Sequence, residues 1–489
     1  MSIFRSRYHH IINDIKSKGF ALTERTIPFY GGTIEILYVK QLTDTNALSE
    51  QIMKPLVQYC SSIKTPLKAQ HTMESVVYAN DCYLENEDSK IEGNILNGMV
   101  VILFSNDQHY IVANLKKVEH RAIPIPEITY TIRGPRDCLT ENLDVNLSLI
   151  RYRLKDPNLK IDTFEVGKRT KTSVAVIYMQ DIANDTAVKE IEKRIGQIDI
   201  DVIWGTGELQ AFLQNNKHDL FPQLGTTERS DWACEAIVEG RVVILADGGQ
   251  IALIAPHVFG DSLIACDDRY DNKFFGLFSR IIRWTALFIS LCLSSIYVAL
   301  VSFHTDVLPA PFAISLAQMR SKVLFSALIE VLIIEFIVEL LRESLLRVPS
   351  KIGTAIGIVG AIVIGQAATA AGIFSPLLLI IVATSLMASF AIPDYFAAHP
   401  IRILKFFMIL LTGIFGFYGF VLGLTLILTN LVSINSFGVP YMAPLAPFNL
   451  YDAIRAFFFN RSTSPKRQQI LRTKDETRTD TYHYPKKKK

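Results

Sequence analysis

The chain is short of the groups on which most enzymes and secreted folds depend. Its 489 residues include six cysteines (Cys60, Cys82, Cys138, Cys234, Cys266, Cys292) with no CxxC pair and no regular spacing. That pattern excludes a disulfide framework and suits free thiols in a reducing compartment. No GxxxxGK[ST], GxSxG or HExxH occurs, and Gly205-Thr206-Gly207-Glu208 reads as a turn rather than a phosphate cradle. The ten histidines are dispersed, and His9-His10 and His304 lack partner ligands at metal spacing. No catalytic set, cofactor or metal is therefore expected, and an enzyme is disfavoured. Residues 1–10 hold no apolar stretch of the kind a signal peptide needs.

Charge is the most informative absence. Residues 284–303 run for twenty positions without it, 352–374 for twenty-three and 406–432 for twenty-seven. About 20 apolar residues cross the ~30 Å hydrocarbon core as a helix, so the chain is expected to enter a membrane from about residue 280. Net charge is only +3, but the tail is basic, ending Lys486-Lys487-Lys488-Lys489. Lys and Arg near span ends resist translocation. The leaderless N-terminal region and the tail are thus both expected on the cytoplasmic side, with an even number of crossings and a count of five or six spans. The fold class is an α/β soluble region of two related subdomains followed by an all-α multi-span membrane domain. The boundaries are 1–135, 136–275, 276–455 for the membrane domain and 456–489 for the basic tail.

The soluble half repeats itself. The stretch from Leu37 to Thr45 lines up with that from Ile177 to Asp185 at an offset of 140. Asn97-Gly98-Met99-Val100-Val101-Ile102-Leu103 lines up with Glu239-Gly240-Arg241-Val242-Val243-Ile244-Leu245 at 142. Each copy reads as strand, polar turn, amphipathic helix and later strand hairpin, with helical periods over 48–58 and 188–195. Between the copies, Leu143, Leu147, Ile150 and Leu154 recur at helical spacing. Five basic groups (Arg133, Arg136, Arg151, Arg153, Lys155) admit an anion-binding reading, but a charged helix face joining two lobes is preferred because aromatic interleaving is missing.

In the membrane half, residues 323–341 are apolar except for Glu330, Glu335 and Glu339. At 100° per residue Glu335, Glu339, Arg342 and Glu343 share a stripe, with Glu330 on another side. An ionised group at that depth costs ~3 kcal/mol on insertion scales, so it needs water or a partner. A cation or proton path, or contact with another subunit, is preferred over a helix lying at the interface. Residues 352–374 carry Gly353, Gly357, Gly360, Ala361 and Gly365 at close to helical spacing, the small-xxx-small pattern of close helix approach, with Gln366 as the one strongly polar side chain. Intramolecular packing and self-association around a pore remain equal readings. Gly372 and Pro376 should end that helix, with a return over 377–392. Residues 406–432, with Gly413, Gly416, Gly419 and Gly423, form either one tilted helix or two short re-entrant arms. Arg402 and Lys405 read as markers of a cytoplasmic loop.

Several of these pieces together resemble the A-type subunit of the GerA family of spore germinant receptors. They are Ile132-Arg133-Gly134-Pro135-Arg136, Lys155-Asp156-Pro157-Asn158-Leu159, Thr227-Glu228-Arg229, Tyr297-Val298-Ala299-Leu300 with Ser302-Phe303-His304, Glu339-Leu340-Leu341-Arg342-Glu343, Ile356-Gly357-Ile358-Val359-Gly360, Val363-Ile364-Gly365-Gln366-Ala367-Ala368 and Gly438-Val439-Pro440-Tyr441-Met442-Ala443-Pro444. The resemblance covers nearly the whole chain. It implies a subunit in the spore inner membrane acting with a transporter-like B subunit and a lipoprotein C subunit. It also implies an oligomeric, nutrient-gated ion channel. The carboxylates and the small-residue stripe supply the candidate pore or subunit-interface residues: Glu330, Glu335, Glu339, Gly357, Gly360, Val363, Gly365 and Gln366. The alternatives are the receptor-like subunit of the dipicolinate-release machinery and a non-channel scaffold.

Overall fold

The computed structural model describes residues 12, 22–62, 67–116, 126, 129, 131, 133–216, 219–347, 365–458 and 466–478. Two compact units divide the chain. One comprises Met1–Asn215, Leu224–Pro256 and Pro465–Lys489; the other comprises Asn216–Gln223 and His257–Ser464.

The first unit holds two five-stranded sheets. Strands β1 (Thr23–Phe29), β2 (Gly32–Tyr38), β3 (Cys82–Glu85), β4 (Val100–Phe104) and β5 (Tyr110–Ala113) pair in the order β1-β2-β4-β5-β3, antiparallel throughout. Strands β6 (Leu159–Val166), β7 (Thr172–Met179), β8 (Gly225–Thr227), β9 (Val242–Ala246) and β10 (Ala252–Ala255) pair as β6-β7-β9-β10-β8, again antiparallel. The two orders are the same. β4 is buried along its whole length because successive side chains serve opposite faces. Val100, Ile102 and Phe104 join one core cluster while Val101 and Leu103 join another.

Helices cover both sheets. A helical run enters at Thr45–Leu48, loosens through a π turn at Ser49–Met53 and continues as α1 (Lys54–Ser62). It is followed by α2 (Ala69–Ser75), α3 (Ser89–Leu96), α4 (Leu143–Arg153), α5 (Asp185–Gly196), α6 (Thr206–Leu213) and α7 (Ser230–Val238). The copies share their local chemistry as well as their order. Asp44 accepts the amide protons of Asn46 and Ala47 at the first helix start, and Asn184, 140 residues on, accepts that of Thr186 at the other. Gly98 and Gly240, at the offset of 142, both take positive φ (81° and 89°). Leu143, Leu147 and Ile150 point α4 into the second sheet's core, as their spacing predicts. Gly205–Glu208 is not a free-standing turn: Gly205 precedes α6, which begins at Thr206.

The second unit is helical: α8 (Lys273–Ser302), α9 (Ala310–Arg320), α10 (Ala327–Arg347), α11 (Pro376–Phe390), α12 (Tyr395–Ser433) and α13 (Leu450–Phe458), with a two-stranded ribbon β11 (Asn435–Ser436) and β12 (Val439–Pro440). Two of the described helices, Phe274–Ser302 and Tyr395–Ser433, are long and apolar enough to cross a membrane; Pro376–Phe390 is apolar but shorter. Gly372 takes φ +69° and ends the helical segment before it, and Ser375 caps α11 by accepting the Leu378 amide proton. The glycine-rich stretch expected at 352–374 lies outside the described residues up to 364.

The 395–433 helix is not one rod. At Gly416 φ is +64° and ψ −142°, and the chain reverses there. A Cβ on Gly419 would lie 2.1 Å from the Leu411 carbonyl oxygen, and one on Gly423 would lie 2.6 Å from the Met408 sulfur. In a straight helix those pairs stand about 12 and 22 Å apart at 1.5 Å per residue. The glycines expected from their i+3/i+4 spacing therefore line the inside of a helical hairpin with arms 395–415 and 417–433. The arms measure roughly 31 and 25 Å by the same rise. Gly413 serves a different contact, since a Cβ there would meet Leu328 of α10 at 2.4 Å.

Candidate functional site

Three carboxylates line α10, and each is bonded to a cation that another part of the second unit supplies. Glu330 is fully buried. Its Oε2 accepts from Arg320 at 2.8 Å and its Oε1 from the Ser375 backbone amide at 2.5 Å. Arg320 also donates to the Tyr297 hydroxyl at 2.9 Å, and that hydroxyl lies 3.3 Å from Ser375 Oγ. A guanidinium and a backbone amide thus give each oxygen of this buried carboxylate one donor, the first of them charge-assisted.

Glu335, five residues on, faces α8 and the first hairpin arm. Its Oε1 accepts from Ser294 Oγ at 2.7 Å and its Oε2 from Lys405 Nζ at 2.6 Å, with both charged side chains buried. Glu339 accepts from Arg402 through Nε at 3.0 Å and through Nη2, and from Arg342 at 3.4 Å. Arg342 continues to Ser389 Oγ at 2.9 Å and lies over the Phe390 ring. The rungs match by helical geometry: Glu335 and Glu339 are one turn apart on α10, and Arg402 and Lys405 are one turn apart on the hairpin arm. Ser294 stands about 12 Å from the end of α8, and Lys405 about 16 Å from the hairpin tip, at 1.5 Å per residue. The polar seam therefore lies deep in apolar helices. Other buried hydroxyls extend it, with Ser385 donating to the Ser290 carbonyl at 3.3 Å.

This geometry revises one expectation. Arg402 and Lys405 are not loop residues marking a membrane side; they belong to α12 and are consumed by Glu339 and Glu335. Arg320 and Ser294 were not singled out by sequence reasoning at all, and Tyr297 entered only as part of the family-like segment Tyr297–Leu300. The signal for two of the three cations was available, because three carboxylates in apolar sequence require partners, and Arg402 and Lys405 stand about one helical turn apart, as Glu335 and Glu339 do. Of the remaining candidate residues, Gly365 opens the described helical segment before Gly372, and a Cβ there would meet nothing within 4 Å of this chain. Gln366 is exposed. Gly357, Gly360 and Val363 lie outside the described residues. Among the described residues no group of three or more His, Cys, Asp or Glu converges as a metal site.

A second polar cluster sits in the first unit and draws together Thr129, Thr131 and Asp137 with Arg153 and with Glu228, Arg229, Ser230 and Asp231. Arg229, fully buried, donates to both Asp231 carboxylate oxygens at 3.0 and 2.8 Å and to Thr131 Oγ at 2.6 Å. Glu228 accepts from the Thr129 amide at 2.7 Å. Arg153 grips Asp137 at 2.5 and 2.6 Å, and Ser230 donates to the same carboxylate. Burial opposes ionisation of Asp137, but the hydrogen bonds from Arg153 and Ser230 and the Arg153 charge outweigh it and hold the carboxyl below its usual range. Burial, followed by the charge of Glu228, pushes the Cys138 thiol up to about 12. Burial alone lowers the Arg151 guanidinium to about 10. With Arg151 buried and Arg153 ion-paired, the five basic groups between Arg133 and Lys155 do not form one open face.

Comparison with known proteins adds the following. The family model described as "Bacillus/Clostridium GerA spore germination protein" matches residues 4–470. "Spore germination protein KA" of Bacillus subtilis (strain 168) is 35% identical over 425 residues, covering 87% of this chain and 78% of the relative. "Spore germination protein GerLA" of Bacillus cereus is 35% identical over 443 residues, 90% of each chain. "Spore germination protein A1" of Bacillus subtilis (strain 168) is 34% identical over 421 residues, 85% of each. The crystal structure of the N-terminal domain of the A subunit of the Bacillus megaterium spore germinant receptor GerK3 aligns at a TM-score of 0.40 and 22% identity, covering 52% of this chain and 95% of that one.

Proposed function

The chain belongs to the GerA family of spore germination proteins, and from that premise we propose that it is the A subunit of a nutrient germinant receptor in the spore inner membrane. It transduces nutrient binding into ion release as an oligomeric ligand-gated channel. It does so beside a transporter-like B subunit and a lipoprotein C subunit. The observation that carries this reading is the ladder of carboxylates on α10, each neutralised by a cation from another segment. Buried ion pairs are weak contributors to stability compared with apolar packing of the same volume. Rungs that join three separate helical elements suit a seam that changes partners when those elements shift. The glycine series at Gly357, Gly360 and Gly365, with Val363 and Gln366, supplies the close approach between copies around a conducting path.

Six crossings, the even member of the expected five or six, with both ends cytoplasmic, complete the proposal; the two arms of the 395–433 hairpin count as two of them. The test is an introduced cysteine at 363 in a cysteine-free chain. Copies should cross-link in spore membranes, and Val363→Ala should release ions and start germination without nutrient. If no homo-oligomer forms and Val363→Ala leaves ion release unchanged, the channel reading falls and the scaffold reading takes its place.

A further inference from the structure

The two lobes of the first unit are built alike, yet they close differently. In the first lobe the chain leaving β5 at once packs back onto the sheet. The Asp44 amide donates to the Leu115 carbonyl at 2.9 Å, and Thr43 bridges Lys116. A Cβ on Gly98 would there meet Leu42 at 3.2 Å and Lys116 at 3.4 Å. In the second lobe the chain leaving β10 does not return, because it departs at Pro256 for the helical unit. The slot is filled all the same. A Cβ on Gly240, the counterpart of Gly98, would meet Ile182, the counterpart of Leu42, at 3.0 Å and Thr473 at 2.4 Å.

Residues 466–478 occupy that slot with a full set of contacts. The Lys474 amide donates to the Ile182 carbonyl at 2.9 Å, and its ammonium to the Gln180 carbonyl at 2.9 Å. Arg467 donates to the Val238 carbonyl at 2.9 Å, and Arg478 pairs with Glu239 at 3.3 Å. Leu471 and Thr473 are buried. A solvated basic tail would bury neither.

We propose that residues 466–478 complete the second lobe, so that the membrane region 257–464 is an insertion in that lobe rather than an appendage after it. The piece that the first lobe takes from the residues following its own β5 is supplied to the second from beyond the whole membrane region. Two consequences follow. Both connections of the membrane region meet the same lobe, so they lie on one face of the bilayer and the crossings between them are even in number. The lobe is also tied to the membrane region at both ends of the insertion, so a displacement there reaches it at more than one point instead of swinging on one hinge.

The experiment compares full-length protein in lipid nanodiscs with a chain ending at Ser464, by hydrogen exchange. The expected result is at least tenfold faster exchange in β9 and β10 of the truncated chain, with β4 and β5 of the first lobe unchanged. A peptide spanning 464–482 added in excess should slow it again. Unchanged exchange in β9 and β10 after truncation overturns the proposal.

Discussion

Removing either partner of the Glu335–Lys405 pair should cost far more than removing both. Glu335→Gln leaves the Lys405 ammonium buried with no opposite charge within reach of its 2.6 Å bond. Lys405→Met leaves the carboxylate with only the Ser294 hydroxyl at 2.7 Å. Breaking a buried pair by deleting one member typically costs about 3–5 kcal/mol, whereas replacing both by apolar groups of similar volume is often neutral or stabilising. The scale is consistent with ~2.5–3.5 kcal/mol for placing one charge at the centre of a membrane helix. A domain holding roughly 5–15 kcal/mol in all cannot absorb such a loss silently. Each single variant should therefore lower the midpoint of thermal unfolding and the abundance in spores. Glu335→Leu combined with Lys405→Met should recover most of both. The assay is a double-mutant cycle on purified full-length protein, with nutrient-triggered germination read in parallel. Additive losses in the double variant, or a Glu335→Gln protein of normal abundance and midpoint, would refute the pairing argument. A double variant that is stable but fails to germinate assigns the pair a role in signalling; one that germinates normally makes this rung purely architectural.

Other predictions rest on single contacts. Gly416→Ala forces a side chain into a left-handed conformation with Phe303 Cγ 3.0 Å away, and should cost about 1–3 kcal/mol in thermal unfolding, while Phe417→Ala should cost less. Gly413→Leu drives a side chain into the space of Leu328 and should destabilise by roughly 1–3 kcal/mol through overpacking, recovered in part by Leu328→Ala. Asp137 has its folded-state pKa depressed, so its contribution is present above the ordinary carboxylate value near 4 and is lost as pH falls through the lower folded value. Acid unfolding of Asp137→Asn measured against the parent should show less pH dependence below pH 4, and an unchanged slope would exclude the Arg153 pairing. Cys138, buried and with its thiol raised to about 12, should be alkylated at pH 8 long after the part-exposed Cys60. Mass spectrometry of timed samples reads the order, and equal rates would contradict it.

The sequence by itself determined what depends on local periodicity and composition. Uncharged runs at 284–303 and 406–432 declared apolar helices because no other backbone satisfies its own hydrogen bonds over that length in hydrocarbon. The duplication was legible at offsets of 140 and 142 because each lobe needs the same cap at Asp44 or Asn184 and the same left-handed glycine at Gly98 or Gly240. The buried carboxylates were legible as a problem that required an answer. Only the tertiary structure supplied the answer, since Arg320, Lys405 and Ser294 come from three segments up to 111 positions apart in number and no periodicity links them. It likewise decided that 395–433 reverses at Gly416, a choice of one φ angle that glycine leaves open and that contacts with Phe303 and Leu411 settle. Thr473 against Gly240 is the clearest case. Its sequence neighbourhood is basic and polar, and burial there follows from the shape of a slot formed more than 200 residues earlier in the chain.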